Sequence, residues 1–338
     1  AMKHIVTMGG GTGQPAVLAG LKNLRAKRRD LSLTAVVTSA DSGGSSEKLR
    51  CERRVLPPGD MIRCLLALGN ADADVMGLVE HRPLGEGIMG GHRIGNILLT
   101  GSMERHPHDV ARAIRTVGKI TRSKGTVLPI TDELVDLWAR FENGVEVCGE
   151  DVIDKGTHAG TGRITAMWLK RRTENERNHD PTPESIPIPA SSRALRAIGV
   201  ADLIIAGPGD LYTSVIPTVL FAEMQKALRD RRGTLVLVTN IMSKRAETFG
   251  FGATDFVAEF EKYAGCEVDV VVCNNESPEA AVLERYSREG AQFVELPAVG
   301  RLGRRLVIAM PLIAPLAHID DVVRHDSARL AEVIATLL

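Results

Sequence analysis

The stretch KHIVTMGGGTGQPAVLAGL, residues 3–21, places Gly9, Gly10, Gly11 and Gly13 directly behind an apolar run. Glycine at that density costs backbone entropy on folding, so a steric or ligand-approach demand has to offset it. Residues 4–8 read as a short buried strand, and Gln14 to Asn23 then carries Val17, Leu18 and Leu21 at helical spacing. The unit is strand, glycine turn, helix. Gly11-Thr12-Gly13-Gln14-Pro15-Ala16 fits G-x-G-x-x-A, and Pro15 suits a first helical turn because its missing N–H is not needed there. Such a turn lets a phosphate approach bare backbone at the positive end of a helix, the alternative being a tight turn and nothing more. It is not a Walker loop, since no Gly-Lys-Ser/Thr follows.

Outward from this unit the same style recurs. LTAVVTSA (33–40) is the next buried strand, and from residue 201 ADLIIAG, GTLVLVTN, EVDVVVCNN, FVELP and RLVIAMP read as strands. Helices are expected at 61–69, 97–104, 108–118, 213–229, 254–263, 278–288 and 326–338. Strands alternating with helices predict an α/β, Rossmann-like, doubly wound and mainly parallel sheet, because right-handed crossovers place helices on both faces. Residues 133–152 alternate apolar and polar around Asn143-Gly144, which predicts a type I′ hairpin with both central residues at positive φ. Together with GTVLPIT before and RITAMWLK after, this predicts a small antiparallel β insertion at about 121–170. The charged, Pro-bearing residues 171–190 then read as an exposed linker, and residues 1–338 as a single nucleotide-binding domain.

Lys plus Arg and Asp plus Glu each total 42, so the overall balance recruits neither nucleic acid nor an anionic membrane. Five cysteines without a C-x-x-C pair argue against a disulfide framework and a structural zinc, and no apolar run approaches the ~20 residues of a membrane span. A cytoplasmic protein without membrane insertion is expected.

In an open parallel sheet, ligands collect beyond the carboxyl ends of the strands. There the second strand leads to Asp41, positioned as a ribose-binding acid, and to Ser42, Gly43, Gly44, Ser45 and Ser46, a second phosphate cradle or a place where Asp41 holds Mg²⁺. A third glycine loop, GPGDLYTS (207–214), supplies Gly207 and Gly209, with Thr213 or Ser214 as a helix cap. His92 and Asn96 in GHRIGN would share a helix face, and Asn240 closes another apolar strand.

The set GGGTGQPAVLAGL, VVTSADSGGSSEKLR, PPGD, GHRIGNILL, ADLIIAGPGDLYTSVIP, VTNIMSKRAET and VVRHDSARLA, in that order, resembles the gluconeogenesis factor (YvcK-like) family, similar in fold to the archaeal 2-phospho-L-lactate transferases. The resemblance spans essentially the whole chain. It implies a cytoplasmic protein that binds UDP-sugars and serves cell shape and envelope synthesis on gluconeogenic carbon, with a homodimer suggested by the fold relatives. By position it implies that Gly9–Gly13 and Asp41–Ser46 embrace the nucleotide phosphates, while His92, Asn96, Gly207, Gly209 and Asn240 line the same cleft. It further implies that Phe251, where the family often has tyrosine, stacks on a base, and that Arg324 is a cationic contact near the sugar. Departures from the family pattern are Glu47, which adds a negative charge beside the cradle, Arg63, shifted by one residue, and Lys244 with Arg245, which add cations.

Three functions follow. The first is a nucleotide-sugar-binding regulator. The second is a transferase acting on a nucleotide diphosphate ester, with Asp41 or Asp60 holding Mg²⁺ against the developing phosphate charge. The third, an NAD(P)-binding oxidoreductase, rests on G-x-G-x-x-A and Asp41 alone.

Overall fold

A computed structural model describes residues 2–85, 87, 90–172, 187–296 and 300–338. Its strands are β1 (Lys3–Gly9), β2 (Leu31–Val37), β3 (Thr126–Pro129), β4 (Val135–Phe141), β5 (Glu146–Cys148), β6 (Ile164–Arg171), β7 (Leu203–Ala206), β8 (Thr234–Val238), β9 (Val270–Asn274), β10 (Arg301–Leu302) and β11 (Arg305–Met310). The helices are α1 (Gly13–Lys27), α2 (Gly44–Arg53), α3 (Gly59–Leu68), α4 (Ala73–Glu80), α5 (Ile94–Arg105), α6 (Val110–Ile120), α7 (Glu150–Lys155), α8 (Ser192–Val200), α9 (Ala222–Arg229), α10 (Ala253–Ala264), α11 (Ala280–Arg288) and α12 (Ser327–Ala335).

The main sheet runs β10-β11-β9-β8-β7-β1-β2-β3, parallel throughout except for the β10–β11 hairpin at one edge. This is the expected doubly wound α/β fold. The strands read as apolar runs because both faces are covered: Ile5, Ala35, Ile205 and Val272 face one core, and Val6, Val36, Ile204 and Val271 the other. Strand order reverses between β1 and β7, and the crevice for ligands opens at such a reversal. No described helix is long and apolar enough to cross a membrane.

The antiparallel insertion is the sheet β5-β4-β6, which narrows the expected span. GTVLPIT does not belong to it. Its β3 pairs in parallel with β2 from Thr34↔Thr126 to Val37↔Pro129, extending the main sheet. At the hairpin, Gly144 alone takes positive φ (80°), and its N–H donates to the Phe141 carbonyl at 2.9 Å. The loop is therefore a three-residue turn with glycine at the left-handed position, not type I′. The expected helix at 213–229 is broken: Leu211–Val215 is a π-helical turn, Ile216–Thr218 a 3₁₀ turn, and α9 starts at Ala222. Glu247 accounts for the irregular start, accepting from the Tyr212 N–H at 2.9 Å and the Thr213 hydroxyl at 2.8 Å, so Thr213 caps no helix. Among the described residues, FVELP contributes only an isolated pairing of Phe293 with Met242. Most of the expected linker, residues 173–186, lies outside the described residues.

Candidate functional site

The glycine turn after β1 is built for close approach, first of all to the protein itself. A Cβ on Gly10 would fall 2.5 Å from an Asp60 carboxylate oxygen, and one on Gly13 would fall 2.2 Å from the Pro208 carbonyl oxygen. Those two glycines admit the Asp60 side chain and the Gly207–Gly209 loop, whose Gly207–Pro208 peptide is cis. Gly11, at φ 61°, donates its N–H to Asp60 at 2.8 Å. Gln14 anchors the turn from beneath: its buried amide donates to the Thr7 and Val36 carbonyls at 3.2 and 3.1 Å.

Beyond the strand ends lie two cavities. The larger, about 1040 Å³, is lined by Thr12, Gly13, Gly209, Asn240 and Arg324 among others. The smaller, about 370 Å³, is lined by Asp41, Gly43, Gly44, Ser45, Ser46, His92 and Asn96 together with Lys48, Gly59, Arg63 and Arg82. The residues expected in one cleft thus divide between two. Gly9, Gly10, Gly11, Ser42 and Gly207 line neither and act behind the walls. Phe251 is a correction. Its ring is buried edge-on between Tyr212 and Phe256, with the Arg163 guanidinium 5.2 Å above it, so no face is left for a base. Asp41 lies past β2, which ends at Val37, and lines the smaller cavity and not the larger one that Thr12 and Gly13 line.

On the wall of the smaller cavity stands Asp41, whose charge acts on two further carboxylates, Asp60 and Glu150. Asp41 accepts the Gly43 N–H at 2.9 Å through one oxygen, and its other oxygen is buried without a partner. Burial, and then the charge of Asp41, pushes Asp60 up to about 6, against the pull of Arg63, with which it is paired. Burial and Asp41 likewise push Glu150 up to about 8, although Glu150 accepts the Ser42 N–H at 3.2 Å. Glu150 escaped sequence reasoning because only the folded insertion carries it there. Asp41 keeps one carboxylate oxygen without a partner, whereas both Asp60 oxygens are taken, one by the Gly11 N–H and the other by Arg63.

A second acidic group borders the larger cavity. Ligand oxygens of Asp154, Asp210 and Glu247 lie within 4.8 Å of one another, but the Lys244 ammonium already occupies the group, paired with Asp154 and 3.0 Å from Asp210. Lys244 is therefore a structural cation, not a free one. The charge of Glu47 is also absorbed, by Arg50 at 2.6 Å and Arg172 at 2.8 Å, and does not oppose an anion at the cradle.

The model of 2-phospho-L-lactate transferase CofD matches residues 5–311, most of the chain. The chain belongs to the CofD family. Among similar CofD-family proteins, the putative gluconeogenesis factor of Thermotoga maritima is 36% identical over 334 residues, covering 98% of each chain. The gluconeogenesis factor of Bacillus subtilis is 31% identical, covering 99% of this chain and 98% of its own. A crystal structure of a Bacillus halodurans protein superimposes with a TM-score of 0.86 at 31% identity, covering 99% of this chain and all of that one. The fold is therefore shared over almost the whole chain.

Proposed function

We propose that this protein binds a nucleotide sugar, a uridine diphosphate sugar, in the larger cavity and acts as a binding regulator of growth on gluconeogenic carbon. The observation that carries the reading is the placement of that cavity, about 1040 Å³, at the reversal of strand order, with glycine-loop backbone on one wall and Asn240 and Arg324 on others. A cavity of this size takes a nucleoside, a diphosphate and a hexose together. Asn240 accepts the Gly209 N–H through Oδ1 at 3.3 Å, which orients its Nδ2 as a donor. The exposed Arg324 side chain makes no ion pair among the described residues and is available for a charge-assisted bond. The relatives named gluconeogenesis factor support the regulatory part of the reading.

Calorimetric titration with UDP-N-acetylglucosamine, UDP-glucose, GDP and NAD tests it. Uridine nucleotides should bind, Arg324→Ala should weaken them at least tenfold, and the melting temperature of the unliganded variant should not move. Failure of every uridine nucleotide to bind overturns the reading.

The Asp41–Asp60 pair favours a second reading, a Mg²⁺-dependent transferase acting on a nucleotide diphosphate ester. Mg²⁺ held there would neutralise charge on a phosphate oxygen. The Gly11 N–H and Arg63 fix Asp60, the Gly43 N–H fixes Asp41, and the charge of Asp41 acts on Asp60. Metal-dependent turnover that Asp41→Asn abolishes while affinity stays intact would select this reading.

A further inference from the structure

The smaller cavity is more than an annex of the larger one. Its floor is a polar triplet drawn from separate elements: Ser45 in the first turn of α2, His92 just before α5, and Asn96 within α5. The Asn96 Nδ2 donates to the Ser45 hydroxyl at 3.0 Å, and that hydroxyl meets the His92 Nδ1 at 2.8 Å. The other end of the Asn96 amide, Oδ1, is buried with no partner, although the residue is only 1% exposed. One oxygen of Asp41, which lines the same cavity and is 9% exposed, is in the same condition. A buried acceptor without a donor is costly, so two among the residues of one small cavity mark a place where something donates.

The charges on the rim point to the rest of the ligand. Lys48, Arg63 and Arg82 line the cavity against the single carboxylate of Asp41, and Arg63 is already paired with Asp60. Lys48 and Arg82 are exposed at the mouth. The walls also come very close: a Cβ on Gly59 would fall 2.4 Å from the Ser46 hydroxyl and 2.8 Å from an Asp41 oxygen. Two orphan acceptors within and cations at the mouth match a small molecule that carries hydroxyl groups at one end and an oxyanion at the other. At about 370 Å³ the cavity is too small for a nucleotide sugar.

We propose that the smaller cavity is a second binding site, for a small hydroxylated oxyanion such as a phosphorylated polyol. The hydroxyl groups donate to Asn96 Oδ1 and Asp41, and the oxyanion lies toward Lys48 and Arg82. The site goes beyond nucleotide-sugar binding and does not depend on it.

The full-length protein, with EDTA present so that no metal bridges ligand and carboxylate, is titrated by calorimetry with glycerol 3-phosphate, with glycerol and inorganic phosphate as half-ligands. Glycerol 3-phosphate should bind saturably and at least tenfold more tightly than either half. Lys48→Ala, on an exposed side chain, should weaken it at least tenfold and leave UDP-N-acetylglucosamine binding unchanged. Arg324→Ala should do the reverse, so the two sites fail or stand separately. No saturable binding of glycerol 3-phosphate, or binding that Arg324→Ala weakens and Lys48→Ala does not, overturns the second site.

Discussion

Gly13 and Phe251 show how differently two residues with a simple sequence reading behave in the fold. The motif made Gly13 a place for a phosphate to approach, yet a Cβ there would meet backbone first, the Pro208 carbonyl at 2.2 Å. Backbone cannot swing away as a side chain can. Gly13→Ala should therefore destabilise the protein by roughly 1–3 kcal/mol, the usual cost of overpacking, as read by urea unfolding. A stability equal to wild type would show that the two loops are not in contact. Phe251 is the converse, assigned to a ligand by resemblance and found in the core. Phe251→Ala should cost about 3–5 kcal/mol of stability, and Phe251→Leu, which keeps most of the apolar volume, should retain full UDP-sugar affinity in calorimetry. Loss of affinity in a stable Phe251→Leu protein would return the ring to the site.

At the scale of elements, what periodicity and turn chemistry encode locally was legible. β1, β2, β7, β8, β9 and β11 lie where apolar runs predicted them, and Gln14 to Asn23 is indeed the core of α1. What was not legible depended on partners distant in the chain. β3 looks like an edge of the insertion until its register with β2, some ninety residues earlier, is known. The helix expected at 213–229 fails at its start because Glu247, more than thirty residues later, takes the Tyr212 N–H. The placement of α7 was equally hidden, and it carries a consequence for pH. Glu150 on α7 is raised from an ordinary carboxyl value to about 8, by burial and then by Asp41. A group raised in the folded state stabilises fully below its unfolded pKa and loses that contribution as pH rises through the folded value. Apo protein should thus lose stability from pH 6.5 up to about 8, by about 1.4 kcal/mol per pH unit, because only the unfolded carboxyl is ionised there, and the curve should level off above 8. His325, held down to about 4 by burial, acts in the opposite sense but below this window. Glu150→Gln, which keeps an oxygen for the Ser42 N–H, should flatten the curve in thermal unfolding across that range. An unaltered slope would mean that Glu150 is ionised throughout.

For the whole molecule, the site was legible as a list of loops but not as a geometry. All three glycine loops do reach the carboxyl ends of parallel strands, as the fold requires. They divide between two cavities, and no single motif records that arrangement. Helix α7 spans the division. At one end Glu150 accepts from Ser42, on the loop that leads into the smaller cavity, and one turn on Asp154 pairs with Lys244 at the larger. Gly149 and Gly156, at φ 103° and 65°, bracket the helix where few other residues could follow the chain. This six-residue helix thus joins the loop of Ser42 to Lys244. If filling either cavity tilts it, thermodynamic reciprocity requires that each ligand alter the affinity of the other by the same factor, so measuring one cross-effect fixes its counterpart.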